Sequence, residues 1–147
     1  MEIDAPTAHI IRGILMVGAT GIIQVVAQLA LSHMMDIVPS PPESRYPTFY
    51  MLTHSVSAVV ILLIGHVLQV LLWAALYYYD WGVFDSFATA IYFSLTSFTT
   101  LGAADLTLPR AHRMIGAFEA AAGMMMFGWS TALLVSVVVR TDRRARP

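Results

Sequence analysis

The chain has 147 residues, 58% of them hydrophobic and 12% charged, with a formal net charge of −1. That charged share is about half the value usual for soluble domains, so a water-soluble monomer is excluded and a membrane protein is expected. The near-neutral charge gives no basis for nucleic-acid binding, and the absence of cysteine removes disulfides and thiolate metal sites.

Three apolar stretches can cross a bilayer as helices, which takes about 20 residues each. The first runs from His9 to Met35. Its start, MEIDAPTAH, is acidic and the apolar run is long, so a cleaved signal peptide is not expected. Gly21, Gln24 and Gln28 share one stripe of this helix and are predicted to face other helices, because polar groups avoid lipid. The linker 36–50 contains DIVPSPPESRYPT, whose prolines predict an exposed turn.

The second span runs from Met51 to Tyr79. His54 and His66 lie twelve residues apart, about 120° around a helix, so they are not expected to hold a metal together. Tyr77, Tyr78, Tyr79 and Trp81 would form an aromatic belt at the outer surface. The next segment, Phe84 to Thr99, reads as a helix of about 15 residues, or ~23 Å. It is too short and too rich in hydroxyls to span. It fits a half-membrane, re-entrant helix, tolerated at that depth only when buried in protein or lining a water-filled cavity. An interfacial helix lying flat is the alternative. The stretch TTLGAAD, Thr99 to Asp105, taken alone reads as a helix-capping turn.

The third span runs from His112 to Val139. Glu119 stands two turns inside it and requires a partner. Counting depth from the outer ends puts Gln69 or His66 at its level. Gly123 and Gly128 admit two uses, a gating hinge or close helix packing. Met124, Met125 and Met126 are expected as apolar lining rather than a soft-metal site. Arg140, Arg143, Arg144 and Arg146 close the chain and predict a cytoplasmic C-terminus. The N-terminus would then lie outside, and the 36–50 loop, with only Arg45, inside. No nucleophile–base pair, phosphate loop or metalloprotease signature is present, so an enzyme is not expected.

Two patterns stand at a fixed distance. One is AIYFSLTSFTTLG followed by Asp105, Pro109 and Arg113; the other is Gly123, Phe127, Gly128, Thr131 and Ala132. Together, from Trp73 to Val139, they resemble the pore module of tetrameric potassium channels, most closely the short bacterial ion channel proteins with one added N-terminal span. The resemblance implies an all-α membrane protein with three transmembrane helices and a re-entrant pore helix and filter loop between the second and third. It divides the chain into an extra helix (1–35), the linker (36–50), the pore module (51–139) and a basic cytoplasmic tail (140–147). It implies a homotetramer in the lipid bilayer of the bacterial inner membrane, carrying potassium or other monovalent cations and needing no other cofactor. Thr100, Leu101, Gly102 and Ala103 would form the filter, with Thr100 a monovalent-cation ligand. Asp105 would line the outer mouth, Thr96, Thr99 and Glu119 would support the pore helix, and Gly123 and Gly128 would serve the gate.

In that family the filter reads Thr-x-Gly-Tyr-Gly-Asp. Thr100, Leu101, Gly102 and Asp105 match; Ala103 takes the tyrosine position and Ala104 the second glycine. A bare potassium ion needs rings of carbonyl oxygens in place of water. Aiming successive carbonyls at one axis requires alternating backbone handedness, which glycine adopts freely and alanine only at roughly 1–2 kcal/mol. The inner half is therefore expected to keep one or two sites, with a wider outer mouth and weakened potassium preference. The rival expectation is a channel-shaped structural or regulatory protein that carries no current.

Overall fold

Long runs of apolar residues without interior proline fold into helices, and the described chain is entirely helix and loop. The structure is a computed structural model and describes residues 5–37, 47–103 and 105–145. Its helices are α1 (Ala5–Ile37), α2 (Pro47–Ala75), α3 (Phe87–Phe98) and α4 (Arg113–Ala145). Three segments are long and apolar enough to cross a membrane: Thr7–Ile37, Phe49–Asp80 and Arg113–Arg143. At 1.5 Å per residue each is about 45 Å long, so its ends reach the headgroup layer.

The boundaries differ from expectation at three places. Helix α1 continues through Asp36 and Ile37, and α2 opens on Pro47, whose fixed φ suits a first helical position. The linker is thus shorter than 36–50; its residues 38–46, with Arg45, lie outside the described residues. Helix α4 continues through Arg140 and Arg143, so most of the expected tail is helix. Nothing in RTDRRA breaks a helix, and arginine suits a helix C-terminus. Residues 146–147 lie outside the described residues.

At its far end α2 widens into a π-turn, Leu76–Asp80. Gly82, at φ +55°, turns the chain where a side chain would be strained. Ser86 then caps α3: its hydroxyl accepts from the Thr89 N–H at 3.1 Å. This cap starts α3 at Phe87 rather than Phe84, and Phe84 turns into the core instead.

Helix α2 runs antiparallel to α1 and α4. Arg12 meets Asp80 at 3.4 Å at one end, and Arg140 meets Asp36 at 2.9 Å at the other. Both pairs are exposed and worth little individually. Near the first end Trp81 stacks on His112, ring centroids 4.4 Å apart, with His9 edge-on to both. Burial, then the charges of His9 and Arg12, hold His112 below the usual imidazole range. Helix α3 is wedged between α2 and α4 over a core that includes Trp73, Tyr77, Phe93, Phe98, Ile115 and Ala122.

Helix α1 is held to this frame by polar contacts as well as apolar ones. Thr20, Gln24 and Gln69 are fully buried. Trp73 Nε1 donates to Thr20 Oγ1 at 3.0 Å, and Gln69 Nε2 donates to Gln24 Oε1 at 3.0 Å. Gln24 Nε2 donates to Ser130 Oγ of α4 at 2.9 Å, and Trp129 Nε1 donates to Gln28 at 3.1 Å. Two of the three stripe residues thus reach α2 or α4. Gly13 admits the Phe118 ring so closely that an added Cβ would lie 2.4 Å from it.

Two outcomes follow for stability in detergent. Gln69→Leu strands the buried amide of Gln24 and is expected to cost about 1–3 kcal/mol, read as a lower melting temperature. Thr53→Ala, which removes only an exposed bond to Phe49 within α2, should stay within about 0.5 kcal/mol. The second outcome concerns pH. Folding favours neutral His112, so its contribution is present above the ordinary histidine pKa and is lost as pH falls through the lowered folded value. His112→Phe should flatten part of the acid destabilisation seen in thermal melts.

Candidate functional site

Helix α3 ends at Phe98, and Thr99 caps it. Thr100 then takes φ +60°, the one non-glycine residue with positive φ among the described residues, and Gly102 takes φ +78°. Leu101 between them and Ala103 after them do not share that handedness. The backbone therefore alternates in handedness from Thr100 through Ala103. Positive φ is uncommon for a β-branched residue. At Thr100 it is fixed by the helix end, since the Thr100 N–H donates to Ser97 O at 2.9 Å. The Gly102 N–H donates to Thr96 O at 3.0 Å. The capping turn and the alternating strand are thus the same few residues.

Little of the chain covers this segment. Leu101 is 79% exposed, an unusual state for leucine beside a packed core, and Thr100 and Gly102 are exposed too. Ala103 packs partly buried against the main core. Ala104 lies outside the described residues. The Asp105 carboxylate accepts from Tyr92 Oη at 3.3 Å, which ties the far end of the loop back to α3.

Two features seat α3 on α4. Glu119 is fully buried, and both its oxygens are engaged. Tyr77 Oη donates to Oε2 at 2.7 Å, and the Ser94 hydroxyl of α3 is shared between Oε1 and the Val70 carbonyl. The partners expected from depth counting, Gln69 and His66, are not the ones used. Helical side chains lean towards their own N-terminus. In antiparallel α2 and α4 that lean brings the long Tyr77 and Glu119 side chains together from different backbone levels.

Gly123 is the second feature. A Cβ there would lie 1.9 Å from the Phe98 carbonyl oxygen, so the end of α3 rests directly on the α4 backbone. Gly128 meets nothing within 4 Å. Thr96 and Thr99 donate their hydroxyls to carbonyls of α3 itself, not to residues 100–105. Thr96 reaches the loop through its carbonyl instead.

His54 donates to Tyr50 O, while His66 faces Gln69 and Ser130. Among the described residues no group of three or more His, Cys, Asp or Glu gathers for a metal. Met124 and Met125 are exposed, and Met126 is buried. Sequence reasoning missed Tyr92, Ser94 and Tyr77 as partners. Tyr92 and Ser94 sit inside the AIYFSLTSFTTLG motif, where a polar group on each helical face was the available signal.

Substituting the two glycines separates their roles. Gly123→Ala is expected to cost about 1–3 kcal/mol or prevent folding, because backbone rather than a flexible side chain blocks the methyl. Gly128→Ala should be neutral or stabilise by up to about 1 kcal/mol. Thermal melts of the purified variants check both.

A family model described as Ion channel matches residues 65–140, just over half of the chain. No curated protein and no solved structure matches it.

Proposed function

The chain belongs to the ion channel family, and on that premise we propose that it is a cation channel built from four copies around a central axis. The single observation that carries this reading is the alternation of backbone handedness at Thr100, Leu101 and Gly102, directly after α3. Alternation is what turns successive carbonyls towards one line, and a bare cation needs such oxygens in place of its hydration shell. One chain supplies one strand, and a ring requires several. The exposure of Leu101 in the isolated chain supports a surface that other copies complete.

In this reading α3 is a re-entrant pore helix, and residues 100–103 are the filter, with Thr100, Leu101 and Gly102 as the main ligands. Glu119, through Ser94, and Gly123, through the Phe98 carbonyl, hold the pore helix. Thr96 helps by accepting from Gly102 N–H. Asp105, four times repeated at the mouth, draws cations towards it. Helix α4 lines the inner pore, and Gly128, with open space around it, is the better candidate for a bend than the tightly packed Gly123. The arginine-bearing end of α4 is cytoplasmic, in a bacterial inner membrane.

Because Ala104 stands where the family has a glycine, and alanine takes the left-handed conformation only at a cost of roughly 1–2 kcal/mol, the outer half lacks a full ladder of sites, and the channel discriminates poorly between potassium and sodium. The same observation favours the second reading, a channel-shaped structural or regulatory protein that carries no current.

Ion flux through proteoliposomes tests the reading. The purified protein, confirmed as a tetramer, should dissipate potassium and sodium gradients at comparable rates. The double substitution Ala103→Tyr with Ala104→Gly should favour potassium by about tenfold or more, as a restored carbonyl ladder implies. Flat traces from confirmed tetramers, with flux appearing only in the double variant, would favour the second reading.

A further inference from the structure

Four side chains from three helices close a ring of hydrogen bonds at mid-span. Gln24 Nε2 donates to Ser130 Oγ, and Gln69 Nε2 donates to Gln24 Oε1. His66 Nδ1 lies 3.2 Å from Gln69 Oε1, and His66 Nε2 lies 3.0 Å from Ser130 Oγ. The proton positions follow from chemistry. An amide oxygen only accepts, so His66 Nδ1 carries the hydrogen. Nε2 of the neutral ring is then an acceptor, and the Ser130 hydroxyl donates to it. Each member donates once and accepts once around the cycle. The ring joins α1, α2 and α4, with α4 gripped seven residues beyond Gly123, about two helical turns.

This cycle has no place for a second proton on His66. With both nitrogens as donors, Nε2 and Ser130 would aim hydrogens at each other unless the serine turned away. The added charge would sit at membrane depth, where an unpaired ion is expensive. The groups facing His66 offer no countercharge: Gln24 from α1, Phe98 from α3, Phe127 and Ser130 from α4, and Gln69 on its own helix. The Phe127 ring, 4.7 Å away, supplies at most a weak cation–π contact. The buried carboxyl of Glu119 and the Tyr77 hydroxyl belong to another level, eleven residues from Ser130 and His66 respectively, or about 16 Å along each helix.

Water is the remaining source of stabilisation, and there is a place for it. A cavity of about 310 Å3 borders His66 between α2, α3 and α4. Its walls include Leu63, Val67, Leu95, Phe98, Thr99 and Phe127, so it is apolar and reaches the residue preceding Thr100. An apolar cavity stays dry beside a neutral ring, and water entering it for a charged His66 would compete with Ser130, the one hold of the ring on α4.

We infer that His66 is the proton-responsive member of a latch that positions α4 against α1 and α2. Neutral His66 closes the ring and holds α4; protonated His66 opens it and frees α4 below Gly123. The inference concerns the hold on α4 and stands whether or not the pore conducts.

The chain has no cysteine, so Leu29→Cys on α1 and Val135→Cys on α4 can be spin-labelled cleanly. Both positions are exposed. Labelled and unlabelled chains mixed into tetramers give one α1–α4 distance by electron–electron resonance. The pH is taken from about 8 to about 5, the interval over which imidazole ordinarily changes charge. The latch predicts a wider, broader distance distribution at acid pH. His66→Gln keeps one donor and one acceptor without titrating, and should hold the neutral-pH distance throughout. Ser130→Ala removes the ring's one member on α4 and should give the wider distribution already at neutral pH, with little further response to acid. The idea is overturned if the parent distance does not respond to acid, or if the response survives unchanged in His66→Gln. Acid effects at the His9–His112 cluster are common to all the variants and cancel in the comparison.

Discussion

Backbone carbonyls at membrane depth must be satisfied within the protein or by water, and under the re-entrant reading proposed above that constraint shapes the region between α2 and α4. Helix α3 is too short to span, and the residues after it have neither a helix nor a sheet to take their polar groups. The fold handles part of this locally. Thr100 and Gly102 give their N–H groups back to Ser97 and Thr96. Two of the loop's donors are thereby turned back into the chain, which tips its balance towards acceptors. A loop rich in free acceptors, repeated around an axis, suits cations and not anions.

Such a loop is useful only if it is held still, and the tightest contacts of the described chain lie behind it. The Phe98 carbonyl rests on Gly123 where no side chain fits. Glu119 engages both α2 and α3 through Tyr77 and Ser94. Tyr92 reaches Asp105 across the loop. The first helix adds a second layer. It touches α2 and α4 through the Gln24–Gln69–His66–Ser130 ring and through the Gly13–Phe118 contact. An added span is thereby part of the packing of α4 and not a loose anchor.

Much of this architecture was legible in the sequence. Three spans follow from the length and apolarity of their runs, and only their ends moved. Pro47 opens a helix that a proline-rich stretch had hidden, and Ser86 starts α3 by capping chemistry that periodicity does not register. Gln24 and Gln28 were readable as an inward stripe because polar groups shun lipid. The partner of Glu119 was misjudged, because counting depth from the outer ends placed Gln69 or His66 beside it, whereas the residue that reaches it, Tyr77, lies eight and eleven residues further along the same span. The close approach at Gly123 was one of two uses the sequence left open. A glycine that bends and a glycine that packs look alike in one sequence, and only the Phe98 carbonyl lying against Gly123 separates them. The left-handed Thr100 was hidden for a similar reason: threonine gives no local signal for positive φ, which here is imposed by the end of α3.

Direct imaging of the purified particle at a resolution that shows ions tests the central claim best. A fourfold assembly is expected, with density on its axis level with Thr100, Leu101 and Gly102 and with fewer ordered positions beyond Ala103. A monomer or dimer, or a tetramer whose residues 100–103 face lipid with no density on the axis, would contradict the account.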